Sequence, residues 1–277
     1  MCRAAGPRSA SEPGITSDPP DTPGLCTSAD HSGASGSCIA ADSYVAVDIE
    51  TTGLGFKKEK IIEIGAIKVR EGEVEDGFHS LIDPRRALDE RIVDLTGLTD
   101  QMLAGSPGIE DVIGDLVDFC KELPLLGHRV LFDYSFLKKA AVDQKIVWER
   151  EGIDTLFLCR MFMPPEEKKN LSDACLFFGV EVERSHRALE DAKAAHRLYQ
   201  ALKERYSGED PGRFVPRPLV CKVKREQPAS KRQKQRLQEL LKYHRIETSM
   251  QIDYLTRNEA SRLTDVILAQ RGRGEEP

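Results

Sequence analysis

The sequence predicts an α/β domain, a mixed sheet with helices on both faces, followed by a small C-terminal helical hairpin. Three observations carry this. Strand-like runs at Ser43–Glu50, Ile61–Arg70 and Val74–Ile82 are joined by short connections. Helical and strand patterns then alternate as far as Tyr206. Two further helical patterns follow a Pro-rich, basic stretch. A chain of 277 residues has room for one large domain with appendages, or for two domains.

Residues 1–41 are rich in Ser, Gly, Pro, Ala and Asp and lack periodicity, so a disordered leader is expected there. Residues 42–208 form the main domain. Its first strand opens with the apolar Tyr44-Val45-Ala46-Val47, and Glu71-Gly72 makes a tight turn between the next two, giving an antiparallel meander. Leu88–Leu95 reads as a helix. Ile109–Cys120 is another, with Ile109, Val112, Ile113, Leu116, Val117 and Cys120 at helical spacing. Pro124–His128 is a short strand, Tyr134–Gln144 a helix, and Asp154–Met163 a strand-to-helix stretch. Leu171–Phe178 is a helix ended by Gly179, and Ala188–Tyr206 is the last long one.

Residues 209–229 read as a basic, Pro-rich linker and 230–271 as the hairpin. Ser230–Gln233 and Thr256–Glu259 each fit a capping box, with Leu255 placed to staple onto Ala260. Leu237, Leu240 and Leu241 would face Leu263, Val266 and Ile267.

The formal net charge is −6, but Arg213–Arg245 holds eleven Lys or Arg against two Glu. An acidic body with a basic arm suits a metal-using site beside a polyanion-binding segment, or simply a solvated helix face. Seven Cys without any C-x-x-C argue against a disulfide framework or zinc site and for a reducing compartment. No apolar run is long enough to span a bilayer and residues 1–10 have no secretory h-region, so a cytoplasmic location is expected.

The chemistry concentrates in "VDIETTGL". Positions i and i+2 of a strand share a face, so Asp48 and Glu50 point the same way. Two adjacent carboxylates repel unless a cation lies between them. Such a pair suits Mg²⁺ or Mn²⁺, though solvated strand ends also carry Asp-x-Glu. In "GHRVLFDYSFL", Asp133 lies near a helix start. In "HRALEDA", His186 belongs in the loop before a helix whose early turns carry Asp191.

These three blocks, in this order, resemble the three motifs of the DEDDh 3′–5′ exonuclease family, which includes the proofreading epsilon subunit of bacterial DNA polymerase III. "IIEIGAIKV" and "LTGLTDQML" resemble its intervening pattern, and the likeness covers about residues 43–206. The resemblance implies a ribonuclease H-like fold. It implies that Asp48, Glu50, Asp133 and Asp191 hold two divalent ions, Mg²⁺ or Mn²⁺, and that His186 is the general base. The substrate would be a nucleic acid with a free 3′ end, DNA in preference to RNA, cleaved to nucleoside 5′-monophosphates. Thr51, Thr52, Gly53 and Leu54 would meet the terminal nucleotide. One residue departs from the family: Arg129 stands where Asn is usual, and could pair with a substrate phosphate or face solvent. His128 reads as a packed residue, Lys57, Lys58 and Lys60 as a solvated loop, Trp148 as packing, and Glu190 as a non-ligand. The hairpin could grip a single strand or dock a polymerase or repair protein. An exoribonuclease, and a nuclease-like binding module without catalysis, remain as alternative readings.

Overall fold

The computed structural model describes residues 41–182 and 186–271. The expected leader, but for Ala41, lies outside these. In chain order the elements are β1 (Tyr44–Thr51), β2 (Ile61–Arg70), β3 (Glu73–Leu81), α1 (Glu90–Thr96), α2 (Asp100–Leu103), α3 (Ile109–Cys120), β4 (Leu125–Gly127), α4 (Val130–Asp143), β5 (Glu151–Asp154), α5 (Thr155–Phe162), α6 (Leu171–Phe178), α7 (Ala188–Tyr206), β6 (Arg217–Pro218), α8 (Lys231–Tyr243) and α9 (Arg257–Arg271). The sheet order is β3-β2-β1-β4-β5-β6. β1, β2 and β3 form the expected antiparallel meander, and β4 and β5 add in parallel to β1. This is the mixed, ribonuclease H-like α/β sheet.

The alternation of β1 sorts two cores. Val45, Val47 and Ile49 pack with Val112, Ile113 and Leu116 of α3 and with Tyr134 and Leu137 of α4. Tyr44 and Ala46 pack on the other face with Ala194, Ala195 and Leu198 of α7. Asp48 and Glu50 continue the second face, so strand parity delivers both acids to the start of α7. In β2 their cross-strand partners are Gly65 and Glu63. At Gly65 a Cβ would stand 2.1 Å from the Leu189 nitrogen and 2.2 Å from the Ala188 carbonyl carbon. Glycine is what lets the α7 backbone rest directly on the sheet.

Several boundaries differ from expectation. α4 begins at Val130, four residues early, because Arg129 adopts a left-handed conformation (φ 75°) that ends β4 abruptly. Glu151–Asp154 is the strand, and Asp154 caps α5 by accepting the Leu156 and Phe157 N–H groups, rather than opening a strand. The short α2 follows its own cap, Thr99, and was absent from the expected elements.

Residues 209–229, expected as a linker, lie along the domain. Phe214 is fully buried in the α7-side core, β6 pairs antiparallel with β5, and Leu219 packs on Gly152. The hairpin has its own core of Ala229, Leu237, Leu255, Ala260 and Ile267, with Leu240, Leu241 and Leu263 packed against it. Both capping boxes form: the Ser230 and Thr256 hydroxyls accept the Gln233 and Glu259 N–H groups, and the Gln233 and Glu259 side chains accept from the Ser230 and Thr256 N–H groups. Val266 is 50% exposed rather than facing α8.

Gly65→Ala forces α7 outward or strains the strand. The expected cost is about 1–3 kcal/mol, the usual range for overpacking. Urea unfolding of the variant against the parent protein checks this, and an unchanged midpoint would contradict the contact.

Candidate active site

β1 and β4 run parallel, so their carboxyl ends share one edge of the sheet, where open α/β sheets bind ligands. Four acids meet there. Asp48 and Glu50 come from β1 and Asp133 from the first turn of α4. Asp191 comes from the first turn of α7. Asp133 accepts the Ile49 N–H at 3.1 Å, which ties α4 to the strand between the two β1 acids. Asp191 accepts the His186 N–H at 2.9 Å. His186 is exposed and left-handed (φ 64°), just before α7. Ligand atoms of Glu50, His186 and Asp191 all lie within 4.8 Å of one another. Glu50, His186 and Asp191 thus form one group, and Asp48 and Asp133 lie close enough to interact electrostatically with each other and with Glu50.

Three of the acids are shielded from water, Glu50 and Asp191 each 9% exposed and Asp133 4% exposed, and Asp48 is half-buried. Among the described residues none of the four pairs with a Lys or Arg. Their pKa values move accordingly. Burial pushes Asp48 well up, reinforced by Asp133, Asp191 and Glu50. Burial does the same to Asp133 and Asp191, the latter opposed by the His186 N–H. Glu50 is pushed up to about 8, by burial first and then by Asp191 and Glu63. Arg187 lowers Glu50 slightly from a distance but pairs with Glu63 instead, so the acid cluster keeps the oxygen donor set that hard divalent cations take.

Glu63 is the residue that the sequence reasoning missed. It is fully buried directly across from Glu50, where like charges repel. Arg187 answers this by donating Nε and Nη2 to it, at 3.1 and 2.8 Å to Oε1. His79 Nε2 and the Ala188 N–H, at 2.7 and 3.2 Å, complete the shell. Burial alone would raise its pKa, but these partners hold Glu63 below the usual glutamate value. The signal was present: one acid in the apolar run "IIEIGAIKV" requires a buried partner.

The expected substrate residues are placed as follows. Thr51 donates its hydroxyl to the Gly53 carbonyl at 2.8 Å, a turn-stabilising role. Thr52 Oγ1 donates to Glu59 at 2.8 Å and accepts the Lys60 N–H at 2.9 Å. A Cβ on Gly53 would meet the Glu59 side chain at 2.9 Å, so the loop closes over glycine. Leu54 is 84% exposed and does not pack in a core. Arg129 is exposed, its guanidinium 5.9 Å from the Phe132 ring centroid. Its left-handed backbone is one that Asn adopts readily, which accounts physically for the usual Asn there. His128 is packed, its nitrogens on the Thr155 hydroxyl and the Lys169 carbonyl at 3.0 and 2.7 Å. Trp148 is core and Glu190 pairs with Lys193, while Lys57 and Lys58 are exposed. Lys60 is not a solvated loop residue, since it pairs with Glu259 at 2.7 Å.

The RNase T exonuclease profile matches residues 45–199, more than half of the chain and all of this site. The chain belongs to the RNase T exonuclease family. It is 36% identical over 167 residues to the PolC-type DNA polymerase III of Clostridium perfringens and 37% over 169 to that of Bacillus subtilis. These stretches cover 59% and 60% of this chain but only 12% of each polymerase. Among solved structures, E. coli Exonuclease I with a dA16 oligonucleotide has a TM-score of 0.53 at 16% identity, covering 63% of this chain and 42% of that one. A 3′-exonuclease bound to a histone mRNA stem-loop has 0.51 at 18%, covering 61% and 67%. Both share the fold. Exonucleases of this family use divalent metal ions.

A raised acid pKa means that the folded state binds the proton more tightly than the unfolded state. For Glu50 this holds between its usual 4.5 and about 8, so its contribution to stability is lost as pH rises through that window. Metal-free protein is expected to melt at progressively lower temperature from about pH 5 to pH 8, and a divalent cation to raise the melting temperature most at the upper end. Melts in EDTA and in Mg²⁺ across that range check this. A flat metal-free profile would contradict the mutual repulsion of the acids.

Proposed function

We propose that this protein is a metal-dependent 3′–5′ exonuclease that hydrolyses the terminal phosphodiester of DNA at single-stranded or frayed 3′ ends, releasing nucleoside 5′-monophosphates in proofreading or repair. The observation that carries the reading is the convergence of four carboxylates, none paired with a Lys or Arg among the described residues, and one exposed histidine at the carboxyl end of β1.

In this reading Asp48, Glu50, Asp133 and Asp191 hold two divalent cations, Mg²⁺ or Mn²⁺, which stabilise the charge that develops in an in-line displacement. His186 takes the proton of the attacking water. An imidazole suits that task near neutral pH, and its main-chain bond to Asp191 holds the loop end beside the acids. Leu54, standing free of any core, packs against the terminal base, and Thr52 and Gly53 set the backbone against the nucleotide. Arg129, with no carboxylate partner among the described residues, meets a phosphate.

The DNA preference rests on the PolC-type relatives, whose matching stretch lies within DNA polymerases. Association with a polymerase is consistent with that likeness. Free buried thiols at Cys120, Cys159 and Cys175 suit a reducing compartment such as the cytoplasm, and no helix among the described residues is long and apolar enough to cross a membrane.

The test is cleavage of 5′-labelled single strands of DNA and RNA with Mg²⁺, Mn²⁺ or EDTA. The expected result is a DNA ladder shortening from its 3′ end, absent in EDTA and in Asp48→Ala. His186→Ala should lower kcat by about 10²- to 10⁴-fold. Preference for RNA would overturn the DNA assignment and keep the chemistry. Absence of metal-dependent cleavage of either strand would overturn the enzyme.

A further inference from the structure

The hairpin reaches the nuclease domain at two points, one in the loop between β1 and β2 that carries Thr52 to Leu54 (the substrate loop) and one in the segment before α1. The first is Glu259, the capping-box acid of α9. Its Oε2 accepts the Thr256 N–H and hydroxyl at 2.9 and 3.0 Å, while its Oε1 meets Lys60 Nζ at 2.7 Å. The cap thus holds the carboxylate in one rotamer before Lys60 arrives, which lowers the entropy cost of the pair. Its side chain is only 13% exposed, which limits screening. Lys60 in turn brackets Thr52. The Thr52 N–H donates to the Lys60 carbonyl and the Lys60 N–H donates to Thr52 Oγ1, both at 2.9 Å.

The second point is the segment before α1. The Gln251 N–H donates to the Arg85 carbonyl at 3.1 Å, and the Ala87 N–H donates to Ser249 Oγ at 3.3 Å. The Tyr254 ring centroid lies 3.9 Å from the Arg85 guanidinium carbon. Between these anchors, Arg86 reaches the Thr52 hydroxyl and the Glu59 carboxylate. Both grips therefore converge on Thr52. Beside them the hairpin and the nuclease domain leave a groove of about 680 Å³.

We propose that the C-terminal hairpin is a clamp on the substrate loop, in which Glu259 acts through Lys60 as a positioning residue that fixes Thr52 to Leu54 for the 3′-terminal nucleotide. The inference rests on the exonuclease reading above.

The test uses the full chain. Glu259→Gln keeps a capping side chain and removes the charge, and Lys60→Met removes its partner. Each is expected to raise KM for a short single-stranded DNA by about 2- to 5-fold, the span of a partly exposed ion pair. kcat should stay at its parental value, and the melting temperature should fall by no more than a few degrees, the loss of one partly exposed ion pair. The double variant should be no worse than either single one, and Lys60→Arg should retain the parental KM. Hydrogen exchange at the Thr52 and Lys60 amides should quicken in both single variants. A KM raised only by Lys60→Met, or effects that add, would assign Lys60 to direct phosphate contact and overturn the clamp. Unchanged exchange in both variants would overturn it too. A parental protein without nuclease activity would instead refute the exonuclease reading, while the exchange measurement still decides the clamp.

Discussion

Helix α7 rests on β2 at Gly65, and the site follows from that contact. The helix carries Asp191, and the loop before it carries His186, so the distance between helix and sheet sets the distance of both from Asp48 and Glu50. Any side chain at position 65 would separate the two halves of the site. The contact also brings the Arg187 and Ala188 backbone over Glu63, whose carboxylate then serves as the fastening. Packing and electrostatics act at the same place: an absent side chain permits the approach and a buried ion pair secures it.

The same closeness creates a cost. Three of the four acids are buried, and none forms an ion pair with a Lys or Arg among the described residues. Folding gathers them at the expense of stability, and the cores on the two faces of β1 offset that expense. Strain of this kind is common at functional sites, where binding relieves what folding imposed.

Much of the site was legible because its elements are local. Parity alone placed Asp48 and Glu50 on one face, and the rotation of a helix over five residues placed His186 outside the helix that holds Asp191. The remainder depended on pairings far apart in the chain. Glu63 meets Arg187 only after β2 and α7 pack, so nothing near either residue names the other. The early start of α4 depended on a left-handed Arg129, which side-chain type does not favour. The stretch 209–229 has the composition of a spacer, yet Phe214 and Leu219 anchor it through the sheet and the α7-side core. Lys60 looked like one lysine among three, and its partner lay in a different helical unit.

The ion pair between Lys60 and Glu259 joins residues about two hundred positions apart. A ribosome releases residues in order, and domains tend to fold as they emerge. The sheet, the acids and the loop around Thr52 are all made before Glu259 leaves the tunnel. The nascent domain thus passes through a stage in which the acid-bearing edge is built but Lys60 has not yet met Glu259. A segment made about two hundred residues later completes the surroundings of the first motif.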